Sequence, residues 1–178
     1  MTSLYTPRED SFLLKKYIKN HVNQDDSVLD LGTGTGILAK EAQKYTKNIL
    51  AADIDPKAIR HCKTQELSAV QSDLFSNITG KFNLIIFNPP YLPKDKHEPS
   101  NSALQTTGGK QGYELIEKFL TQAKHHLKPK GKILLLFSSL TNKTKIDNLL
   151  KQHHYTRTLL ETKPLFFEKL YLYLIKPI

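Results

Sequence analysis

The run Asn88-Pro89-Pro90-Tyr91, directly after the apolar Leu84-Ile85-Ile86-Phe87, offers hydrogen-bond acceptors and few donors. Two consecutive prolines fix φ and remove two backbone N–H groups, leaving a rigid turn that exposes carbonyl oxygens. A planar NH2 group entering this turn would find the side-chain oxygen of Asn88 and the carbonyl of Pro89 as acceptors for its two N–H bonds. Tyr91 would offer a ring to stack on. Such bonds point the nitrogen lone pair toward an electrophile such as a methylsulfonium carbon. They strengthen as charge develops on an amide nitrogen that resists attack in water. Taken alone, the four residues read better as a plain turn opened by an Asx residue; following an apolar strand, in a chain with a second motif upstream, they read as a clamp.

That second motif is Asp30-Leu31-Gly32-Thr33-Gly34-Thr35-Gly36, a turn that follows a strand and opens a helix. Gly32, Gly34 and Gly36 let a ligand approach the backbone where side chains would collide. The dinucleotide spacing G-x-G-x-x-G would need glycine at position 37, which is Ile37, and the Gly-Lys pair of a phosphate loop is missing, so pyrophosphate is disfavoured. Asp53, followed by Ile54, ends the next strand about 20 residues on, where a carboxylate accepts both hydrogen bonds of a ribose diol. Asp73 closes a third strand and is placed to accept from an exocyclic adenine amine, with Leu74 packing near the ring. Each acid alone is as well explained as a helix cap or turn residue. Three acids ending successive strands, beside a glycine turn, imply an adenosine-bearing ligand.

The elements that must hold these motifs alternate. Thr6-Pro7-Arg8-Glu9 fits a capping box with proline at the first helical position, ahead of Phe12, Leu13, Leu14, Tyr17 and Ile18 at helical spacing. Strands are expected at 27–31, 48–52, 67–71 (weak) and 82–87, with helices opening at Ile37 and at Asp55-Pro56. After a long loop, a helix over 113–126 leads through a Lys130-Gly131 turn into 132–137, which is apolar on both faces like a central parallel strand. A helix over 142–152 and two strands, 156–160 and 170–175, close the chain. The expected fold class is α/β: a doubly wound, mostly parallel seven-stranded sheet with an antiparallel closing hairpin, Rossmann-like, in one domain over residues 1–178 with 1–26 as an N-terminal helical extension.

Composition bounds the rest. The chain has 178 residues and 39% hydrophobic content, ordinary globular usage. No run is long and apolar enough for a membrane span, and the start lacks the pattern of an export signal. A lone cysteine, Cys62, suits a reducing compartment, so a cytoplasmic location is expected. The formal charge of +9 invites a nucleic-acid reading, but among 26 basic residues only Arg8, Arg60 and Arg157 are arginine. Scattered lysine is commonly a solvated surface. His125-His126 and His153-His154 lack helical zinc-ligand spacing and read as solvated helix ends, so no metal is expected.

With these motifs assembled, the chain resembles a class I S-adenosylmethionine methyltransferase of the HemK type, in the short branch without a separate amino-terminal helical domain. The resemblance spans Leu4 to the end. Its most specific mark is Tyr5-Thr6-Pro7-Arg8-Glu9-Asp10-Ser11-Phe12-Leu13-Leu14. It implies S-adenosylmethionine as cofactor, with Ser11, Asp30, Gly32, Asp53, Asp73, Leu74 and Asn88 as contacts; Glu9 remains equally explicable as a capping residue. Gly108-Gly109-Lys110-Gln111-Gly112 resembles the family's glycine-rich segment at the substrate mouth, with a mobile loop as the alternative. Asp30 stands where branch members often carry glutamate. The resemblance further implies N5-methylation of the glutamine in the Gly-Gly-Gln motif of a class-1 translation release factor, as a heterodimer with a small zinc-binding activator protein. Two rivals stand beside this. The same clamp would accept adenine N6 or guanine N2 in nucleic acid, although flipping a base normally requires a strand-holding surface. A binding subunit that keeps the fold without catalysis is the other, against which Asn88, Asp53 and Gly32 speak.

Overall fold

The computed structural model describes residues 7–94 and 106–178. Seven strands form one sheet in the order β3-β2-β1-β4-β5-β7-β6, where β1 is Ser27–Leu31, β2 Asn48–Asp53, β3 Ala69–Gln71, β4 Phe82–Phe87, β5 Leu127–Ser138, β6 Tyr155–Pro164 and β7 Lys169–Pro177. β1 to β5 run parallel, while β7 pairs antiparallel with both β5 and β6. The doubly wound sheet with its closing hairpin is thus as expected.

Side chains alternate across the sheet and bury two separate cores. On one face Leu29, Leu31, Ile85, Phe87, Ile133 and Leu135 pack under α4 (Glu114–Ala123) and α5 (Lys143–Gln152). On the other, Val28, Leu84, Ile86, Leu134 and Leu136 meet α1 (Glu9–Ile18), α2 (Ile37–Ala42) and Cys62 of α3 (Pro56–Thr64). α1 is part of this second core through Leu13, Leu14 and Ile18. It is also tied to the far strand: Glu161 on β6 accepts from Lys16 Nζ and from the Tyr17 hydroxyl, both at 2.7 Å.

Several local expectations shift: the strand expected over 67–71 is only Ala69–Gln71, and the closing strands lengthen to Tyr155–Pro164 and Lys169–Pro177. α1 begins at Glu9, after an extended Arg8 with no side-chain cap, so Pro7 stands outside the helix; Thr6 lies outside the described residues. In place of an upstream hydroxyl, the Asp10 carboxylate accepts the first-turn N–H of Ser11 at 2.6 Å. The expected helix over 113–126 is an α-helix only to Ala123, and its last three residues tighten into a 3-10 turn. Lys130-Gly131 is not a turn before a strand but an irregularity within β5: the register with β4 jumps between Phe82 and Leu84, and Lys130 adopts φ 64°. A Cβ on Gly131 would stand 2.8 Å from the Lys128 carbonyl oxygen and 2.9 Å from that of Phe82, so only glycine fits.

Candidate active site

The carboxyl ends of β1, β2, β3 and β4 bring the glycine turn, Asp53, Asp73 and Asn88 to one edge of the sheet, the usual ligand edge of an open α/β fold. The glycine turn is built by the acids around it. Gly32 and Thr33 N–H donate to the Ala52 carbonyl at 2.8 and 3.0 Å, and Asp53 accepts from the N–H groups of Gly34 (2.8 Å) and Asp55 (2.9 Å). Burial holds the Asp53 carboxyl above its ordinary value, partly offset by these backbone bonds. Gly34, at φ 53°, has nothing within 4 Å of where a Cβ would stand, whereas Gly36 has a packing reason of its own: its Cβ would meet Leu67 Cδ1 at 2.9 Å and Cys62 Sγ at 3.1 Å. The Cys62 thiol, pushed up to about 11 by burial, is chemically quiet beneath the turn.

Asp30 is fully buried. Its Oδ2 accepts from the Thr33 hydroxyl at 2.6 Å and from Ala39 N–H at 3.0 Å, while its Oδ1 has no hydrogen-bond partner among the described residues. Burial pushes this carboxyl up to about 7, against the pull of those two bonds, and the charge of Asp53 pushes the same way. A buried carboxylate oxygen left bare is costly unless a cation or donor reaches it. The ammonium and sulfonium charges of S-adenosylmethionine fit that demand, and they fit an acid-lined edge in an otherwise basic protein. Ile54, 52% exposed beside Asp53, and half-buried Leu74, at φ 48°, put apolar surface at the same edge. Asp73 is exposed, in a turn held by its own N–H to Ser76 Oγ (3.1 Å) and by Ser72 Oγ, which donates to the Leu74 carbonyl at 2.7 Å. Ser11 is buried at the start of α1.

Asn88 sits at the end of β4 with Nδ2 donating to Asp10 Oδ2 at 3.1 Å, while its Oδ1 is buried with no hydrogen-bond partner among the described residues. A hydrogen bond to an ionised acceptor contributes about 1.5–3 kcal/mol net. The turn that follows is fixed from behind: the Thr141 hydroxyl donates to the Tyr91 carbonyl at 2.9 Å, Leu92 N–H to the Thr106 carbonyl at 2.8 Å, and Gly108 N–H to the Leu92 carbonyl at 2.9 Å. The glycine-rich segment thereby acquires its role. A Cβ on Gly108 would lie 2.6 Å from the Pro90 carbonyl oxygen and one on Gly112 at 2.6 Å from that of Tyr91, so these glycines let the chain lie directly on the Pro-Pro turn. Tyr91 is half-buried, and burial, then the Asp10 charge, holds its phenol well above the ordinary value. It acts as a neutral ring.

Asp10 was missed as a site residue in the sequence. Its signal, an acid in the first turn of a helix, has an ordinary explanation in the helix dipole. The histidines differ from solvated ends in two places: His126 stacks on Phe75 at 4.5 Å between ring centroids, and His153 Nε2 is buried without a partner among the described residues. No metal-holding group of His, Cys, Asp and Glu occurs among the described residues.

Residues 9–166 match the family described as Methyltransferase small domain. A Methanocaldococcus jannaschii protein provisionally named a protein N5-glutamine methyltransferase is 40% identical over 157 residues, covering 83% of this chain and 79% of that protein. The release factor glutamine methyltransferase of Lactococcus lactis is 32% identical over 130 residues, 64% of this chain and 48% of that protein. The ribosomal RNA small subunit methyltransferase C of Haemophilus influenzae is 34% identical over 149 residues, 79% and 39% respectively. The chain thus spans about half or less of these two bacterial relatives. A chain of the E. cuniculi Mtq2-Trm112 complex, a complex described as responsible for methylation of the eRF1 translation termination factor, superposes with a TM-score of 0.81 at 24% identity over 98% of this chain and 99% of that one, a likeness of fold. With these matches and the acid-lined glycine turn, this chain belongs to the Methyltransferase small domain family and is an S-adenosylmethionine-dependent methyltransferase.

Proposed function

We propose that this chain methylates the side-chain amide nitrogen of a glutamine, in the Gly-Gly-Gln motif of a class-1 translation release factor, in the cytoplasm. The observation that carries the reading is the buried Oδ1 of Asn88, without a hydrogen-bond partner among the described residues, beside a Pro-Pro turn that has no backbone donors of its own. The cofactor, when bound, supplies an electrophilic methyl group and a good leaving group. The chain's own residues do the positioning. Asn88 Oδ1 and the Pro89 carbonyl accept the two N–H bonds of the substrate amide, Tyr91 stacks on its plane, and the rigid turn keeps the nitrogen lone pair aimed outward. Asp53 takes the ribose diol, Asp73 and Leu74 the adenine, and Asp30 faces the cationic end, with Ser11 beside it. The name of the Methanocaldococcus relative supports glutamine as acceptor, and that of the Lactococcus relative supports the release factor.

A small activator protein, zinc-binding in this reading, covers the edge of β3. That strand is three residues long and ends the sheet, the kind of edge that a partner seals. Full activity and stability of the isolated chain would count against it.

The deciding experiment offers labelled cofactor to a release factor carrying Gly-Gly-Gln, to its glutamine-substituted form, and to single- and double-stranded nucleic acids. Label is expected on the first alone. The likeness to a ribosomal RNA methyltransferase makes base labelling the specific alternative. Label on adenine or guanine, with the factor blank, replaces the protein reading with that one.

A further inference from the structure

The amide of Asn88 can face its surroundings in two ways, related by a half-turn that exchanges oxygen and nitrogen. Only one of them is useful to the clamp, because an Nδ2 pointing into the turn would meet the substrate NH2 donor to donor. Nothing in the Pro-Pro turn chooses between them: prolines donate nothing, and Oδ1 has no partner among the described residues to hold it. The choice is made from α1. Asp10 lies in the first turn of that helix, 5% exposed, and its Oδ2 takes Asn88 Nδ2 at 3.1 Å. A carboxylate can only accept, so the reversed amide would set an oxygen against an oxygen. The other carboxylate oxygen is held by Ser11 N–H at 2.6 Å, which keeps Asp10 from turning away.

We infer that Asp10 is a positioning residue that locks the Asn88 amide with its oxygen toward the substrate, so that a residue near the start of the chain sets the polarity of a clamp 78 positions later. Asp10 touches neither substrate nor cofactor in this role; it acts through Asn88. The inference rests on the reading of Asn88 Oδ1 as the acceptor of a substrate NH2.

The lock has a signature that simple loss of packing lacks. Asp10→Asn removes the acceptor-only character: the new amide can donate to Asn88 Oδ1 and occupy it. The expected result is a fall in kcat of at least tenfold with the cofactor dissociation constant within twofold of wild type. In an Asn88→Asp background the sign reverses. There the Asp10 carboxylate faces a second carboxylate. Adding Asp10→Asn to that background supplies an amide that donates to one oxygen of the introduced carboxylate and leaves the other as acceptor, so kcat should rise severalfold. A purely structural Asp10 predicts that the substitution lowers activity in both backgrounds, and that outcome overturns the proposal. The kinetics are read on whichever planar nitrogen the wild-type protein methylates, so a base substrate would defeat the glutamine reading without touching the lock. Nitrogen-15 NMR of the cofactor-bound protein supplies the arm that needs no substrate. One Asn88 side-chain N–H should be shifted downfield by its carboxylate partner, and the shift should vanish in Asp10→Ala; an Asn88 amide indifferent to Asp10 overturns the proposal.

Discussion

Asp53 accepts the Gly34 N–H at 2.8 Å, so the acid that ends β2 belongs to the glycine turn before any ligand arrives. In the proposed site the remaining lone pairs of its oxygens would take the diol. Asp53→Ala should therefore do two things: weaken S-adenosylmethionine by the loss of two hydrogen bonds to a charged acceptor, about 1.5–3 kcal/mol each, and lower the melting temperature of the cofactor-free protein. Calorimetric titration and thermal melting measure the two separately. Undiminished affinity would remove Asp53 from the cofactor site.

Cofactor binding should depend on pH through Asp30. Its carboxyl moves from 3.8 to about 7 on folding, which at about 1.4 kcal/mol per unit makes ionisation in the folded, ligand-free protein cost roughly 4 kcal/mol. Because the folded state holds the proton more tightly, stability without cofactor should decline as pH rises from about 4 toward 7 and then level off. Cofactor affinity should run the other way, since a cation favours the ionised carboxylate: weaker below pH 7, reaching a plateau above it. Asp30→Asn should flatten both profiles and bind less tightly at pH 8. Melting curves and titrations at pH 5.5 and 8 test this, and identical wild-type affinity at both would refute it.

Asn88→Ala should leave cofactor binding largely intact while reducing turnover by about two orders of magnitude, in line with the loss of one preorganised polar contact. Single-turnover kinetics at saturating cofactor separate the effects. Wild-type rates in this variant would end the clamp mechanism.

The tip of the β6–β7 hairpin carries Phe166 and Phe167, 92% and 87% exposed and packed edge to face on each other at 4.5 Å. It rises from the edge that bears the proposed clamp, since Lys169 N–H bonds to Ser139 Oγ at 3.0 Å and the nearby Thr141 hydroxyl bonds to the Tyr91 carbonyl. A protein substrate would cover this pair. Replacing both by serine should change stability by less than about 0.5 kcal/mol, as exposed positions do, yet raise KM for the macromolecular substrate severalfold without altering cofactor affinity. Unaltered KM would separate the tip from substrate docking.

Strands on the ligand edge were legible because their signals are local. Ser27–Leu31 and Phe82–Phe87 are apolar runs bounded by turn residues, and Asp55-Pro56 is a cap followed by a first helical position, with Asp55 accepting the Lys57 N–H at 2.8 Å. What stayed hidden depends on distant partners. The extra residues of β5 around Gly131 are set by the Phe82 carbonyl, and the need for glycine at 108 and 112 comes from the backbone of Pro90 and Tyr91. Asp10 looks like any acid at a helix start until the fold brings it against Asn88. Asp30 was legible as an acid at the turn, but not that one of its oxygens secures Thr33 and Ala39 while the other has no hydrogen-bond partner among the described residues.

β7 lies between β5 and β6 although it follows both in the chain, and it contributes Leu170, Leu172, Tyr173 and Ile175 to the buried cores. Its backbone supplies the strand partner of β6 and one flank of β5. The flank of β5 opposite β4 is therefore closed only by residues 170–175, which follow the other six strands in the chain. A premature stop anywhere before them removes an interior strand and not a dispensable tail. Because β6 pairs in the sheet with β7 alone, the two strands enter it together as a hairpin, and the bonds of β7 to β5 are what attach that hairpin to the parallel strands.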